Sequence, residues 1–413
     1  MPKLITIEAL RWKGWEQIYG VPVPGCNPND DFFPRKQDTF LAPYQNICFP
    51  NLQTICISYC HKLKTVFSVT SVSSLPNLES LFVDECDNLE VIISLRPPPP
   101  QVIFPKLERI WIKRCRKLKS IFFTAILATL PRLKWLTVED CNELEDIISS
   151  EAKAVRNLSN FFQQVYFPTL QEIEISRCNK LKTIFSFTIV RSLTQLECLI
   201  VYLCNELEEL FSFDSKDAEK VEQILTHSQQ VYLPRLYKMH ITRCNKLKTI
   251  FPLTIIRSLP DLEELCIEHC NALEELFCFD SKKAEQVEQI LISSQQAYFP
   301  RLVLIDIRGC NKLKFIFSFS VAYHCSSLEK LCIECCSKLE RIVKFEHTAT
   351  SEEGVGAAID DNYCYHLLFP NLYQVELQKL PSLTQTFPGF EPEFWYIKDC
   401  PLIVPATIQV PQL

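Results

Sequence analysis

His240, Cys266, Asp306 and Cys332 return at the same point of a repeating pattern, at intervals of 26, 40 and 26 residues. A thiol beside an imidazole is the beginning of a nucleophilic dyad, and two thiols, an imidazole and a carboxylate form a candidate zinc donor set. Both readings fail if each repeat supplies one strand. Neighbouring strands lie about 4.8 Å apart, so four donors in consecutive strands extend too far to wrap one tetrahedral ion. A dyad also needs a third group to orient the imidazole, and a pocket. The run CIECC (Cys332, Cys335, Cys336) fails likewise, because alternation along the strand sends Cys336 inward while its companions face out. None of the seven glycines falls in a GxxxxGK[ST] or GxGxxG arrangement, and HExxH, GxSxG and paired CxxC frameworks are missing too. The sequence therefore assigns no catalytic residue, no metal site and no cofactor.

The pattern that positions these residues is carried by cysteine. Cys60 and Cys86, Cys115 and Cys141, Cys178 and Cys204, Cys244 and Cys270, and Cys310 and Cys336 are each 26 residues apart. Around each the frame LxxLxLxxC returns, followed by a further Leu and an apolar pair, as in FPTLQEIEISRCNKLKTIF from Phe167. This is a leucine-rich repeat. Alternation at Ile173, Ile175 and Cys178 predicts a short strand with one buried face, and stacking the repeats gives a parallel ladder with one continuous core. Phe67, Phe122, Phe185, Phe251 and Phe317 are expected to close its far side. The predicted fold is an α/β solenoid, a curved horseshoe with a parallel β-sheet on its concave face and short helices, turns and loops on the convex side.

Composition supports an interaction module. Hydrophobic residues make up 47% of the chain, so a large core is available, and a formal charge of −6 argues against a nucleic-acid surface. Of the 21 cysteines, eleven occupy the core position of the frame, the last being Cys400. Such thiols act as small buried hydrophobes, which matches a reducing, cytoplasmic compartment. The first residues lack the layout of a signal peptide, and no apolar run is long enough to span a membrane.

The organisation expected is a degenerate first repeat at residues 1–20, a Pro-rich irregular insertion at 21–48, the repeat array at 49–402 and a tail at 403–413 that caps the last strand. The interval back to the next pair lengthens along the chain, so the unit is a double repeat with its extra length after the second cysteine. Two such inserts are near copies, FSFDSKDAEKVEQIL from Phe211 and FCFDSKKAEQVEQIL from Phe277. Apolar spacing at Ala218, Val221, Ile224 and Leu225, and at Ala284, Val287, Ile290 and Leu291, predicts a short amphipathic helix in each. Residues 96–100 (RPPPP) read as a stiff turn, and residues 346–362 as a polar, mobile stretch.

Charge alternates up the stack. First-type repeats carry NKLK after the cysteine (Lys180 and Lys182, Lys246 and Lys248, Lys312 and Lys314), and second-type repeats carry acids (Glu206 and Glu208, Glu274). Arg114, Arg177 and Arg243 precede first-type cysteines, whereas Asp84 with Glu85, and Glu139 with Asp140, precede second-type ones. These charges are expected to stitch neighbouring repeats together. Trp111 and Trp135 interrupt that ladder. Both are expected on the concave face near Tyr59 and Phe82, as an aromatic patch fit to anchor a protein partner.

The combination FPxLxxIxIxxCxKLKxIF followed by LPxLexLxIexCxeLEeii, with Phe-Pro starts at Phe49, Phe104, Phe167, Phe299 and Phe369, resembles the C-terminal repeats of plant disease-resistance proteins. More narrowly it is similar to the coiled-coil class of nucleotide-binding leucine-rich-repeat receptors. The resemblance implies plant defence and innate immunity: repeats that sense a pathogen effector, or a guarded host protein altered by one, and restrain an upstream nucleotide-binding domain. That domain is missing from this chain, so no nucleotide switching is assigned to it. Sensing would fall to Trp111, Arg114, Trp135, Arg177, Tyr202, His240 and Arg243. Cysteine-containing repeats of similar length also select substrates in F-box subunits of ubiquitin ligases, though those usually lack the KLKxIF segment.

Overall fold

The computed structural model describes residues 6–10, 51–68, 75–94, 104–123, 130–149, 167–212, 232–252, 255, 259–278, 299–344, 368–384 and 392–403. The two duplicated inserts, the 96–100 and 346–362 segments, the 21–48 insertion and the tail beyond residue 403 lie outside the described residues. The chain divides into two compact units, residues 1–167 and 168–413.

In the first unit five parallel strands lie side by side: Thr6–Leu10, Thr54–Ser58, Ser80–Asp84, Arg109–Lys113 and Trp135–Glu139. The second unit repeats the arrangement with eight, from Glu172–Ser176 to Phe394–Lys398. Each strand is five residues long, and alternation decides its faces. In Lys238–Thr242, for example, Met239 and Ile241 are buried while Lys238, His240 and Thr242 are half-buried on the open side.

One residue reverses direction after each strand from Thr54–Ser58 onward. Tyr59, Glu85, Arg114, Asp140, Arg177, Leu203, Arg243, His269, Cys335, Lys379 and Asp399 all have φ between 50 and 60°, and Gly309 has 65°. This left-handed step costs a non-glycine residue about 1–2 kcal/mol. It also aims that residue's N–H at the last carbonyl of the following strand, as in Tyr59 N to Asp84 O (3.0 Å) and Arg243 N to Glu268 O (2.7 Å). The next residue, the cysteine, then drops into the core, and its carbonyl closes a turn on the buried Leu three residues on, as from Leu181 N to Cys178 O (3.3 Å).

The far side is built from strands as well. The apolar pair of each KLKxIF segment lies in a four-residue strand that pairs in parallel with its counterpart 26 residues later: Thr65–Ser68 with Val91–Ser94, Ser120–Phe123 with Asp146–Ser149, and Thr183–Ser186 with Glu209–Ser212. Thr249–Pro252 with Glu275–Cys278 and Phe315–Ser318 with Arg341–Lys344 complete the set. Described helix beside these strands amounts to the four-residue segments Phe187–Val190 and Phe319–Ala322. Each far-side sheet joins the two members of one cysteine pair, so the double repeat is a structural unit. The buried Phe of each Phe-Pro start packs against the far-side Phe before it. Ring centroids are 5.1 Å apart for Phe67 and Phe104, and 5.4 Å for Phe122 and Phe167 and for Phe317 and Phe369.

Candidate functional site

His240, Cys266, Asp306 and Cys332 stand half-buried at the central outward position of their strands. His240 stands beside Cys266 in register, Cys266 beside Asp306, and Asp306 beside Cys332, one strand at a time. No group of three or more His, Cys, Asp or Glu among the described residues could hold a metal ion. Burial, and then the Asp306 carboxylate, push the Cys266 thiol up to about 11; burial, then Glu376 and Asp306, do the same to Cys332. Neither is a ready nucleophile at neutral pH. Arg308 forms two 2.8 Å hydrogen bonds to the two carboxylate oxygens of Asp306.

The core cysteines are buried thiols that form no disulfide. Each thiol donates weakly to the carbonyl two residues back, at 3.4 Å for Cys86, Cys115 and Cys178. A hydrogen bond with Cys115, ahead of burial, pushes Cys86 up to about 12. Complete burial also raises Cys325, a thiol outside the column.

The aromatic patch forms in the first unit. Phe82 and Trp111 occupy opposed positions of adjacent strands, with ring centroids 5.8 Å apart at 69°. Trp111 is 44% exposed, whereas Phe82 is half-buried beneath the same face. Trp135 is opposed to Arg109 rather than to Trp111, and the guanidinium carbon of Arg109 lies 4.4 Å from the Trp135 ring centroid. That distance is within the range of a cation–π contact. Tyr59 sits at the left-handed step and meets His61 edge-on at 6.4 Å, on the turn side. Arg114, also at that step, bridges Asp84 (2.5 Å) and Glu85 (2.8 Å).

The remaining candidates belong to the second unit. Arg177 and Arg243 are exposed at the left-handed step rather than in strands. The Tyr202 hydroxyl donates to Glu174 at 3.3 Å. His240 lies between Ile200 and Cys266, with its Nε2 buried and lacking a hydrogen-bond partner.

The expected charge stitching is present at several levels: Lys246 with Glu206 (2.5 Å), Lys113 with Glu139 (2.8 Å), Lys134 with Glu108 (3.2 Å) and Lys238 with Glu264 (2.9 Å). Two features went unread in the sequence. One is Arg109, whose alternation in RIWIK puts it on the face of Trp111. The other is the Asn of NKLK and NELE, which forms an amide ladder: Asn205 donates to Asn179 (3.0 Å), Asn245 to Asn205 (3.0 Å), Asn271 to Asn245 (3.1 Å) and Asn311 to Asn271 (3.0 Å).

The family model described as plant disease resistance protein RPS2-like, leucine-rich repeats, matches residues 41–87, 87–165, 155–230 and 206–297, more than half of the chain. The chain belongs to this family. Solved structures that match this chain do so at low sequence identity and low TM-score. The pneumococcal vaccine antigen PcpA is 14% identical, the match covering 84% of this chain and 66% of that one, with a TM-score of 0.22. A chain of the yeast Rad7–Elc1 complex is 14% identical over 84% of this chain and 74% of that one, with a TM-score of 0.27. A leucine-rich-repeat protein of Leptospira interrogans is 13% identical over 79% of this chain and 90% of that one, with a TM-score of 0.18. No curated protein matches the RPS2-like chain. Among its described residues, no helix is long and apolar enough to cross a membrane.

Proposed function

We propose that this chain is a non-enzymatic recognition module of plant innate immunity, which binds a pathogen effector or a host protein modified by one through the open face of its strand ladder. The observation that carries this reading is the exposed Trp111 packed on Phe82, with Arg109 laid over Trp135 in the neighbouring strand. Aromatic and Arg side chains supply most of the energy at protein interfaces, and family membership supports a role in disease resistance. An upstream nucleotide-binding domain is the partner expected within the same pathway, and the cytoplasm the compartment.

The test is affinity capture from healthy and infected plant tissue, with the wild-type chain beside the Trp111→Ala/Trp135→Ala variant. The expected result is an infection-dependent partner retained by the wild type and lost by the variant, with unchanged thermal unfolding. Identical capture by both would remove the aromatic patch as the recognition site. Recovery of a ubiquitin-ligase adaptor would favour the F-box type of module instead.

A further inference from the structure

The patch around Trp111 is chemically asymmetric. On its strand-end side every cation is matched: Lys113 pairs with Glu139, and Arg114 with Asp84 and Glu85. On the strand-start side Arg109 is exposed, rests on the Trp135 ring, and meets no carboxylate among the described residues. Stacking on an indole leaves the in-plane donors of a guanidinium free to grip a planar anion. On the other side the Asp84 carboxylate already receives Arg114, and its second oxygen is buried out of a partner's reach, so the binding charge of the patch is Arg109.

We propose that this site binds an extended acidic segment of a protein partner, with a carboxylate on Arg109 and an apolar side chain two residues away on Trp111 and Phe82. Arg109 and Trp111 are two residues apart on one strand face, about 7 Å. That spacing matches side chains i and i+2 of an extended chain. A nucleic acid would offer anions to Arg109 and bases to Trp111, but the neighbouring cations Lys113 and Arg114 are already paired with Glu139, Asp84 and Glu85 and give a phosphate backbone no row of charges to follow. The proposal rests on the protein-binding reading above and names the chemistry that the site selects.

The probe is a random linear peptide library displayed on phage, selected against the full chain, Arg109→Glu and Trp111→Ala, with a mixed-sequence single-stranded oligonucleotide as competitor. Wild type is expected to enrich peptides with Asp or Glu two residues from an aromatic or aliphatic side chain. Synthetic versions should lose at least about tenfold in affinity on Glu→Gln substitution in the peptide or on Arg109→Glu in the protein, and should weaken with salt. Arg109→Glu should instead enrich Lys or Arg at that peptide position, a readout that mere loss of folding would not produce. No enrichment by wild type, motifs indifferent to Arg109→Glu, or displacement of selected peptides by the oligonucleotide would overturn the proposal. Capture of a tissue partner through other residues would still leave the module reading standing, so the two failures are distinguishable.

Discussion

Asp306 shows how one residue sets the chemistry of its neighbours. It lies between Cys266 and Cys332 in register and, after burial, is the leading electrostatic cause holding the Cys266 thiol protonated. A nearby negative charge disfavours the thiolate, so its removal should let both thiols ionise at lower pH. Asp306→Asn should therefore speed alkylation of Cys266 and Cys332 by iodoacetamide at about pH 9, read residue by residue by mass spectrometry. Unchanged rates would mean that burial alone governs these thiols. Gly309 is set by its surroundings in the same way. Its φ is 65°, and a Cβ there would stand 2.4 Å from Nδ1 of His269, although Arg occupies the same point in three other repeats. Gly309→Ala should cost about 1–3 kcal/mol through strain and overpacking, and part of that cost should vanish in the His269→Ala background. Additive losses in a denaturant double-mutant cycle would show that the imidazole yields freely.

Among the elements, the turn after each cysteine carries an interaction that alternating charge concealed. Asn245 donates to Asn205 and accepts from Asn271, so its amide is held on both sides. Asn245→Leu removes two exposed hydrogen bonds and leaves two neighbouring amides to water, for an expected loss of about 1 kcal/mol. Asn271→Leu, one step further along the ladder, should behave alike. Urea unfolding with either variant at wild-type cost would show that solvent replaces the ladder without penalty. The far-side sheets make a related point. They join only the members of one cysteine pair because extra chain leaves after the second member, where a continuous ladder would have to stop.

At the scale of the molecule, two buried thiols of the column, Cys86 and Cys115, tie stability to alkaline pH, whereas Cys204, Cys270 and Cys336 are shifted the other way by hydrogen bonds with the preceding cysteine. Cys86 is pushed up to about 12 and Cys115 well above its usual value, each first by a hydrogen bond with the next cysteine and also by burial. The folded state therefore holds these protons more tightly than the unfolded chain, whose thiols titrate near 8.5. That contribution is fully present below about pH 8.5 and falls as pH rises toward the folded values, by up to about 1.4 kcal/mol per pH unit for each such thiol. Urea midpoints should be flat between about pH 6 and 8 and drop steeply above about pH 9. Cys86→Ala should make that drop shallower even though it lowers stability at neutral pH. An alkaline limb unchanged by the substitution would refute this assignment.

Local sequence alone determined the repeat, the strand in each repeat, the buried column of Leu, Ile and Cys, and the Phe residues that close the far side. Those features depend on alternation and period within a single repeat, and apolar burial enforces them wherever the frame occurs. It also put Trp111 and Trp135 on the open face, but as one patch that included Tyr59. Only the tertiary structure decided that Trp111 meets Phe82 edge-on while Trp135 takes Arg109, that Arg114, Arg177 and Arg243 stand at a left-handed step, and that asparagines rather than lysines form the unbroken ladder in the second unit. These contacts join residues 26 to 40 positions apart. They follow from the register between neighbouring strands and from backbone hydrogen bonds that outweigh an unfavourable φ, and neither is written in the types of the residues themselves.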